Sequence, residues 1–387
     1  MGKTLSCCLL SHTLEEGVGP ADANRLLAAE FARRGFRVSL CGLNDARMTI
    51  PTKERADIYG VQVPAFSIPQ TLSWKERSEV LRGYLEEQNP DYVIFRFIPY
   101  SLHPKGIVWS SATWLAGALA DRVVIMLMDE IWLGELPAVF RHRLVGLLQR
   151  HSILRLLKGV QPRHIFTNNR FNTNALHKQG IEAKTLRLFG NIPVVPSDGG
   201  DWLYREFEKA GVTVLPSNRG DWLLVGNFGL FHSDWAPALF LRNLHKLARK
   251  HHRQVCIVGI GSLGAYKHHW QAIAKTWGER FSFVHLGRRP DFEVSLFLQS
   301  VDFGITTNPF YLVGKSGTCM AMLDHGLPII VPRISENDDL AELPAHLLLR
   351  CGDYPGDEIF AGRQRVKPDP QLAKAVEELM TAMPARN

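Results

Sequence analysis

One alternation, run through twice, limits what this chain can fold into. Short apolar runs bounded by turn residues take turns with longer helical stretches. Strands are expected at 3–11, 36–43, 92–97, 123–128 and 164–167, with helices at 21–34 and near 75–88, 108–120, 137–158 and 171–179. A stretch rich in Gly, Asp and Ser follows at 197–220, with a short helix near 202–209. The alternation then restarts, with strands at 222–228, 254–260, 281–286, 302–306 and 328–331 and helices at 237–250, 267–277, 292–299 and 319–325. A last helix is expected near 370–383. Strands that alternate with helices form parallel sheets covered on both faces. The expectation is therefore an α/β protein of two doubly wound Rossmann-like domains facing across a cleft, with ligands at the C-terminal ends of the strands. The expected boundaries are 1–196 for the first domain, 197–220 for a linker, 221–368 for the second domain and 369–387 for a terminal helix packing back on the first.

The totals fit that expectation. A length of 387 residues suits two domains, and 45% hydrophobic with 21% charged residues is ordinary for a soluble enzyme. No apolar run is long enough to span a membrane, and the N-terminus does not read as a signal peptide. The six cysteines show no metal-type spacing, so reduced thiols in a cytoplasmic protein are expected. The net charge of +7 is uneven: residues 1–196 hold 24 Lys and Arg against 17 Asp and Glu, while the remainder holds 21 of each. No acid occurs between Glu135 and Glu182, a window that carries Arg141, Arg143, Arg150, Arg155, Lys158, Arg163, Arg170 and Lys178. Over 137–158 apolar and basic residues alternate at helical spacing. Two readings stand: a contact with an anionic membrane surface or acceptor, and a helix with its apolar stripe in the core. Nucleic acid is not expected, since no aromatic–basic stacking motif accompanies the charge.

The chemistry concentrates at Gly314-Lys315-Ser316-Gly317-Thr318. A buried strand precedes it and a helix follows. The first amides of a helix lack internal partners and sit at the positive end of its dipole, so such a turn can hold an anion. Gly317 lets a phosphate approach, Thr318 can cap, and Lys315 supplies a full charge. Asp129-Glu130 ends an apolar strand, where a carboxylate can act as a base or cap a helix. Gly259-Ile260-Gly261-Ser262-Leu263-Gly264 matches G-x-G-x-x-G after a strand, and Arg288 and Arg289 could suit a 2′-phosphate, so an NADP-dependent oxidoreductase is an alternative.

Four further stretches carry a resemblance. These are Gly17-Val18-Gly19-Pro20 with the helix that ends at Gly35; Val284-His285-Leu286-Gly287-Arg288; Ser300-Val301-Asp302-Phe303-Gly304-Ile305; and Gly317-Thr318 followed by Ala321 and Gly326-Leu327-Pro328. Together they resemble, over nearly the whole chain, a GT-B fold nucleotide-sugar glycosyltransferase of the family 4 and glycogen-phosphorylase-like group. The resemblance implies that a nucleotide-sugar is held by the second domain and a glycan, lipid-linked or small-molecule acceptor by the first. It implies a hexosyltransferase of the kind used in polysaccharide biosynthesis, without cofactor or metal, in the cytoplasm or peripheral on the inner membrane face.

The same resemblance implies site residues. Gly314, Lys315, Ser316, Gly317, Thr318 and His232 would hold the donor diphosphate. Gly287, Arg288, Asp324, His325, Glu336 and Asn337 would face the sugar or nucleoside, and Gly17, Gly19 and Asn24 the acceptor. Lys315, Asp129 and Glu130 would be catalytic. The chain departs from the family in one respect: the glutamates spaced eight apart in many relatives are replaced by Val313 and Ala321. A non-catalytic binding protein of this fold is thus a further alternative, and Asp324 and His325 are the candidates to replace the ribose clamp. Gly19-Pro20 stands where many inverting relatives carry a catalytic histidine, which points to retention of configuration.

Overall fold

The computed structural model describes residues 4–133, 140–232, 234–334, 343–361 and 365–383. The chain forms two compact units, 1–187 with 372–387, and 188–371.

The first unit contains β1 (Ser6–Ser11), α1 (Gly19–Arg33), β2 (Arg37–Asp45), β3 (Thr52–Ile58), β4 (Val61–Pro69), α2 (Trp74–Gln88), β5 (Tyr92–Phe97), α3 (Pro99–Leu102), α4 (Trp109–Leu119), β6 (Val124–Met128), α5 (Phe140–Val160), β7 (His164–Thr167), α6 (Arg170–His177) and β8 (Lys184–Thr185). Its sheet runs β3-β4-β2-β1-β5-β6-β7-β8. All pairings are parallel except β3 with β4, an antiparallel hairpin turned by Tyr59-Gly60, both at positive φ. Strands β1, β5 and β6 are buried along their whole length, as parallel strands covered on both faces must be. Val93, Phe95 and Phe97 point into one core with Leu81 and Leu85 of α2, Leu115 and Leu119 of α4, and Ile153, Leu156 and Leu157 of α5.

The second unit contains α7 (Asp201–Lys209), β9 (Trp222–Phe228), α8 (Ala238–Lys250), β10 (Gln254–Ile260), α9 (Lys267–Trp277), β11 (Ser282–His285), α10 (Asp291–Ser300), β12 (Phe303–Ile305), α11 (Phe310–Val313), α12 (Gly317–Asp324), β13 (Ile329–Val331) and β14 (Leu348–Arg350). Its six strands run β11-β10-β9-β12-β13-β14, all parallel. The period of two is legible in the two cores. Cys256, Val258 and Ile260 meet the core under α10 and α12, while Val255 and Ile257 meet the core under α8 and α9. The chain then returns to the first unit, where α13 (Leu372–Thr381) packs on α1 and Arg34 reaches the Ala373 carbonyl (3.2 Å) and Glu377 (3.1 Å).

Two expectations need correction. Segment 197–220 is not a linker: α7 packs on α10, with Trp202, Leu203 and Phe207 buried in the second core, and Val214 joins them. Its glycines and acids start and cap α7, Asp198 accepting from the Trp202 amide at 2.8 Å. The boundary instead falls between Arg187 and Leu188. The β3–β4 hairpin was not expected at all. Its outer strand reads Thr-Lys-Glu-Arg-Ala-Asp-Ile, is mostly exposed, and lacks the apolar run of the inner strands.

Candidate functional site

In the second sheet the strand order reverses between β9 and β12, and ligands of open α/β sheets bind at the C-terminal side of such a point. The N-terminus of α12 lies there. Ser316, not Thr318, is the cap: its Oγ accepts from the Cys319 amide (3.3 Å) and shares a 2.9 Å bond with the Thr318 hydroxyl. Among the described residues no group accepts from the amides of Gly317 and Thr318. Those amides are the open ones of the helix.

Backbone from β9 presses against this helix start. Gly229 has φ +92°, and a Cβ there would lie 3.0 Å from the Thr318 methyl, so a side chain is excluded both by conformation and by space. Its amide donates to the Ile260 carbonyl at 3.1 Å, and the Gly261 amide donates to the Gly287 carbonyl at 2.8 Å, so the ends of three strands form one row of backbone. Gly287 is thereby placed at this edge, while Arg288 is exposed. Lys315 and Gly314 are half-buried in the turn before the cap. His232 donates its backbone amide to Thr307 Oγ1 (3.0 Å) and sets its ring 5.4 Å from that of Tyr266.

Other residues of the site came without forewarning. Asn191 lies against Gly317, 3.5 Å from where a Cβ would stand, and its buried Oδ1 has no hydrogen-bond partner among the described residues. Thr306, Thr307 and Asn308 end β12; the Asn308 amide donates to Thr306 Oγ1 (3.2 Å). Arg333 donates to the Thr307 carbonyl (2.9 Å) and pairs with Asp234 (2.8 Å), whose carboxyl it holds below the usual range. Three polar residues at the end of a buried strand were the one signal available; Asn191 and Arg333 arrive from distant segments.

Several expected residues are elsewhere. Asp324 and His325 are buried, at 3% and 0% exposure, and cannot clamp a ribose. Asp324 Oδ2 accepts from the amides of Gly190 (2.9 Å) and Gln371 (3.2 Å). The His325 ring bridges the Ala321 carbonyl (2.6 Å) and the Ser295 hydroxyl (2.7 Å), and burial lowers its pKa to about 4. Val313 and Ala321, where the relatives' glutamates would stand, are both 0% exposed within the apolar core. Over Ala321 runs the Gly190 backbone, so close that a Cβ on Gly190 would lie 2.6 Å from the Ala321 Cα. Glu336 and Asn337 lie outside the described residues. Arg289, offered for a 2′-phosphate, instead pairs with Glu206 (2.5 Å) and lies over the Trp202 ring.

In the first unit Asp129 is engaged rather than poised. Both its oxygens accept from Arg96 Nη1 at 2.9 Å, and Arg96 Nε donates to Asn24 Oδ1 at 2.8 Å. Asn24 is wholly buried and donates to the Leu10 carbonyl (3.0 Å), so it is a structural link and not an acceptor contact. Arg96 was visible as a lone charge in an apolar strand. Glu130 is half-buried beside Asp129. Gly17 and Gly19 are exposed, and the Gly17 amide is held by Asp22.

His12 heads the loop that leads to Gly17, half-buried at the end of β1. Burial lowers its pKa, against the pull of the Asp45 charge, so the ring is neutral near pH 7. Burial pushes Asp45 up, but Arg47 overrides this with bonds of 3.0 and 2.8 Å and holds it ionised.

No protein-family model matches the chain, and no curated protein does. Solved structures do match over nearly the full length. One is Alr3699/HepE from Anabaena in complex with UDP and glucose, at 12% identity and TM-score 0.57, covering 98% of this chain and 99% of that one. Another is the catalytic domain of Starch Synthase IV from Arabidopsis thaliana bound to ADP and acarbose, at 10% identity and TM-score 0.57, covering 99% of each chain. A third is the UDP-GlcNAc 2-epimerase from Methanocaldococcus jannaschii, at 11% identity and TM-score 0.54, covering 98% and 99%.

Proposed function

We propose that this chain, which has the GT-B fold, is a glycosyltransferase that moves a sugar from a nucleoside-diphosphate sugar to a hydroxyl acceptor without a metal ion. One observation carries this reading: two open amides at the start of α12, at the switch point of the sheet, with glycine backbone pressed close on one side. As the bond from the sugar to the diphosphate breaks, negative charge grows on the leaving group. The Gly317 and Thr318 amides, the helix dipole and the Lys315 ammonium would take up that charge. The nucleotides named in complexes of similar structures, UDP and ADP, belong to the same class. The acceptor is assigned to the first unit, where neutral His12 is a better candidate than Asp129 to take a hydroxyl proton.

Calorimetry with UDP, ADP, GDP, TDP and CMP tests the donor site. At least one diphosphate should bind, and Lys315→Ala should weaken it. No binding, or binding of CMP as tight as of any diphosphate, would remove the reading. The epimerase among the similar structures supplies a second reading, since it would use the same donor site with no acceptor. Incubation with the donor alone separates the two: an epimeric sugar accumulating without acceptor favours the epimerase.

A further inference from the structure

Helix α5 has two unlike faces. Its inner positions Ile153, Leu156, Leu157 and Val160 are in the core, with Gln149 and Ser152 buried beside them. Its outer stripe reads Leu144, Leu147, Leu148, His151, Arg155, Lys158, one continuous face at helical spacing. The three leucines are 54%, 51% and 38% exposed, where an amphipathic helix in water would show polar groups. Neighbouring α4 adds Trp109, 41% exposed. The Trp109 ring meets that of His151, centroids 6.2 Å apart, so the two helices share one surface.

The surface is held in place from beneath. Gln149 donates to the Tyr100 hydroxyl (2.9 Å) and the Lys105 carbonyl (2.8 Å) and accepts from the Leu133 amide (2.9 Å). Gly146 admits the Leu133 carbonyl, which a Cβ would approach to 2.0 Å. Along the two helices the charge has one sign. Arg143, Arg155 and Lys158 are exposed, α4 carries no charged residue, and no acid lies between Glu135 and Glu182.

We propose that the α4–α5 face of the first unit docks on an anionic lipid bilayer. The leucines and Trp109 enter the boundary between headgroups and acyl chains, and the arginines and lysine meet the lipid phosphates. A second copy of the chain would bring like charges together, and a nucleic acid would leave the leucines against a polar partner. Among the described residues no helix is long and apolar enough to cross a membrane, so the contact is peripheral. Binding needs neither donor nor acceptor and is independent of the transfer reaction.

The full chain is sedimented with vesicles of phosphatidylcholine alone, and of phosphatidylcholine with about one-third phosphatidylglycerol. It should pellet with the anionic vesicles, stay in solution with the neutral ones, and be released by salt. The variants Leu144→Ser with Leu147→Ser, and Arg155→Glu with Lys158→Glu, alter only exposed side chains. Each should keep the parent's circular dichroism and weaken pelleting about tenfold or more. Equal pelleting with both vesicles, no pelleting, or variants that bind like the parent would overturn the proposal. So would a dimer, in sedimentation velocity without lipid, that the leucine variant turns into monomer.

Discussion

At the switch point of the first sheet the chain places charge; at that of the second it places backbone. In the first unit Arg96, 5% exposed, is gripped by Asp129 and Asn24, and the group that might have been a base is occupied in holding strands to helix. In the second unit the same position in the topology holds two open amides, a row of glycines and hydroxyls. The difference teaches that one architecture can use one end of its sheet for cohesion and the other for a ligand. Buried charge is costly to leave unpaired, whereas an open amide costs little until an anion fills it.

The largest expected effect breaks the comparison on its charged side. Asp129→Ala leaves Arg96 uncompensated and should cost about 3–5 kcal/mol in denaturant unfolding, with Arg96→Met in the same chain restoring part of it. Unchanged stability together with lost transfer would make Asp129 catalytic and dissolve the contrast. Next, Lys315→Ala should lower the transfer rate by about two to three powers of ten while leaving the unfolding midpoint nearly unchanged, as checked by initial rates and thermal unfolding.

His325 sharpens the comparison by showing that the core beneath the second site is also polar but neutral. Its folded pKa of about 4 lies below the ordinary 6.5, so the unfolded chain binds the proton first. Its contribution to stability is intact above pH 6.5, falls as pH drops from 6.5 to 4, and is then constant, a loss of about 3 kcal/mol. Unfolding across that range, compared with His325→Gln, isolates it. The smallest effect is at the cap: Ser316→Ala should cost about 1 kcal/mol of stability and raise the donor KM, because the hydroxyl orients the turn that presents the amides.

What was legible in the sequence follows the same division. Inner parallel strands such as Tyr92–Phe97 and Gln254–Ile260 are buried on both faces and read as apolar runs. The hairpin strand Thr52–Ile58 is exposed at an edge and offers no such run, and Asp201–Lys209 hides its buried Trp202 and Phe207 among charges. A site made of backbone is written in glycine and local order, so the turn from Gly314 to Thr318 could be found. Asn191 and Arg333 could not, because only the fold brings them together from segments far apart in the chain. Arg96 could be seen but not its partners, and Asp324 and His325 looked available because sequence does not say which way the residues at a helix end turn.

The Gly190 backbone laid over Ala321 closes off an obvious engineering route. Grafting an acid at 321, by analogy with acid-bearing relatives, would bury an unpaired carboxylate and push the overlying strand of chain aside. Under the proposed donor reading, selectivity is retuned from the rim, through side chains such as Asn191 and Arg333, because the floor has no vacancy to offer.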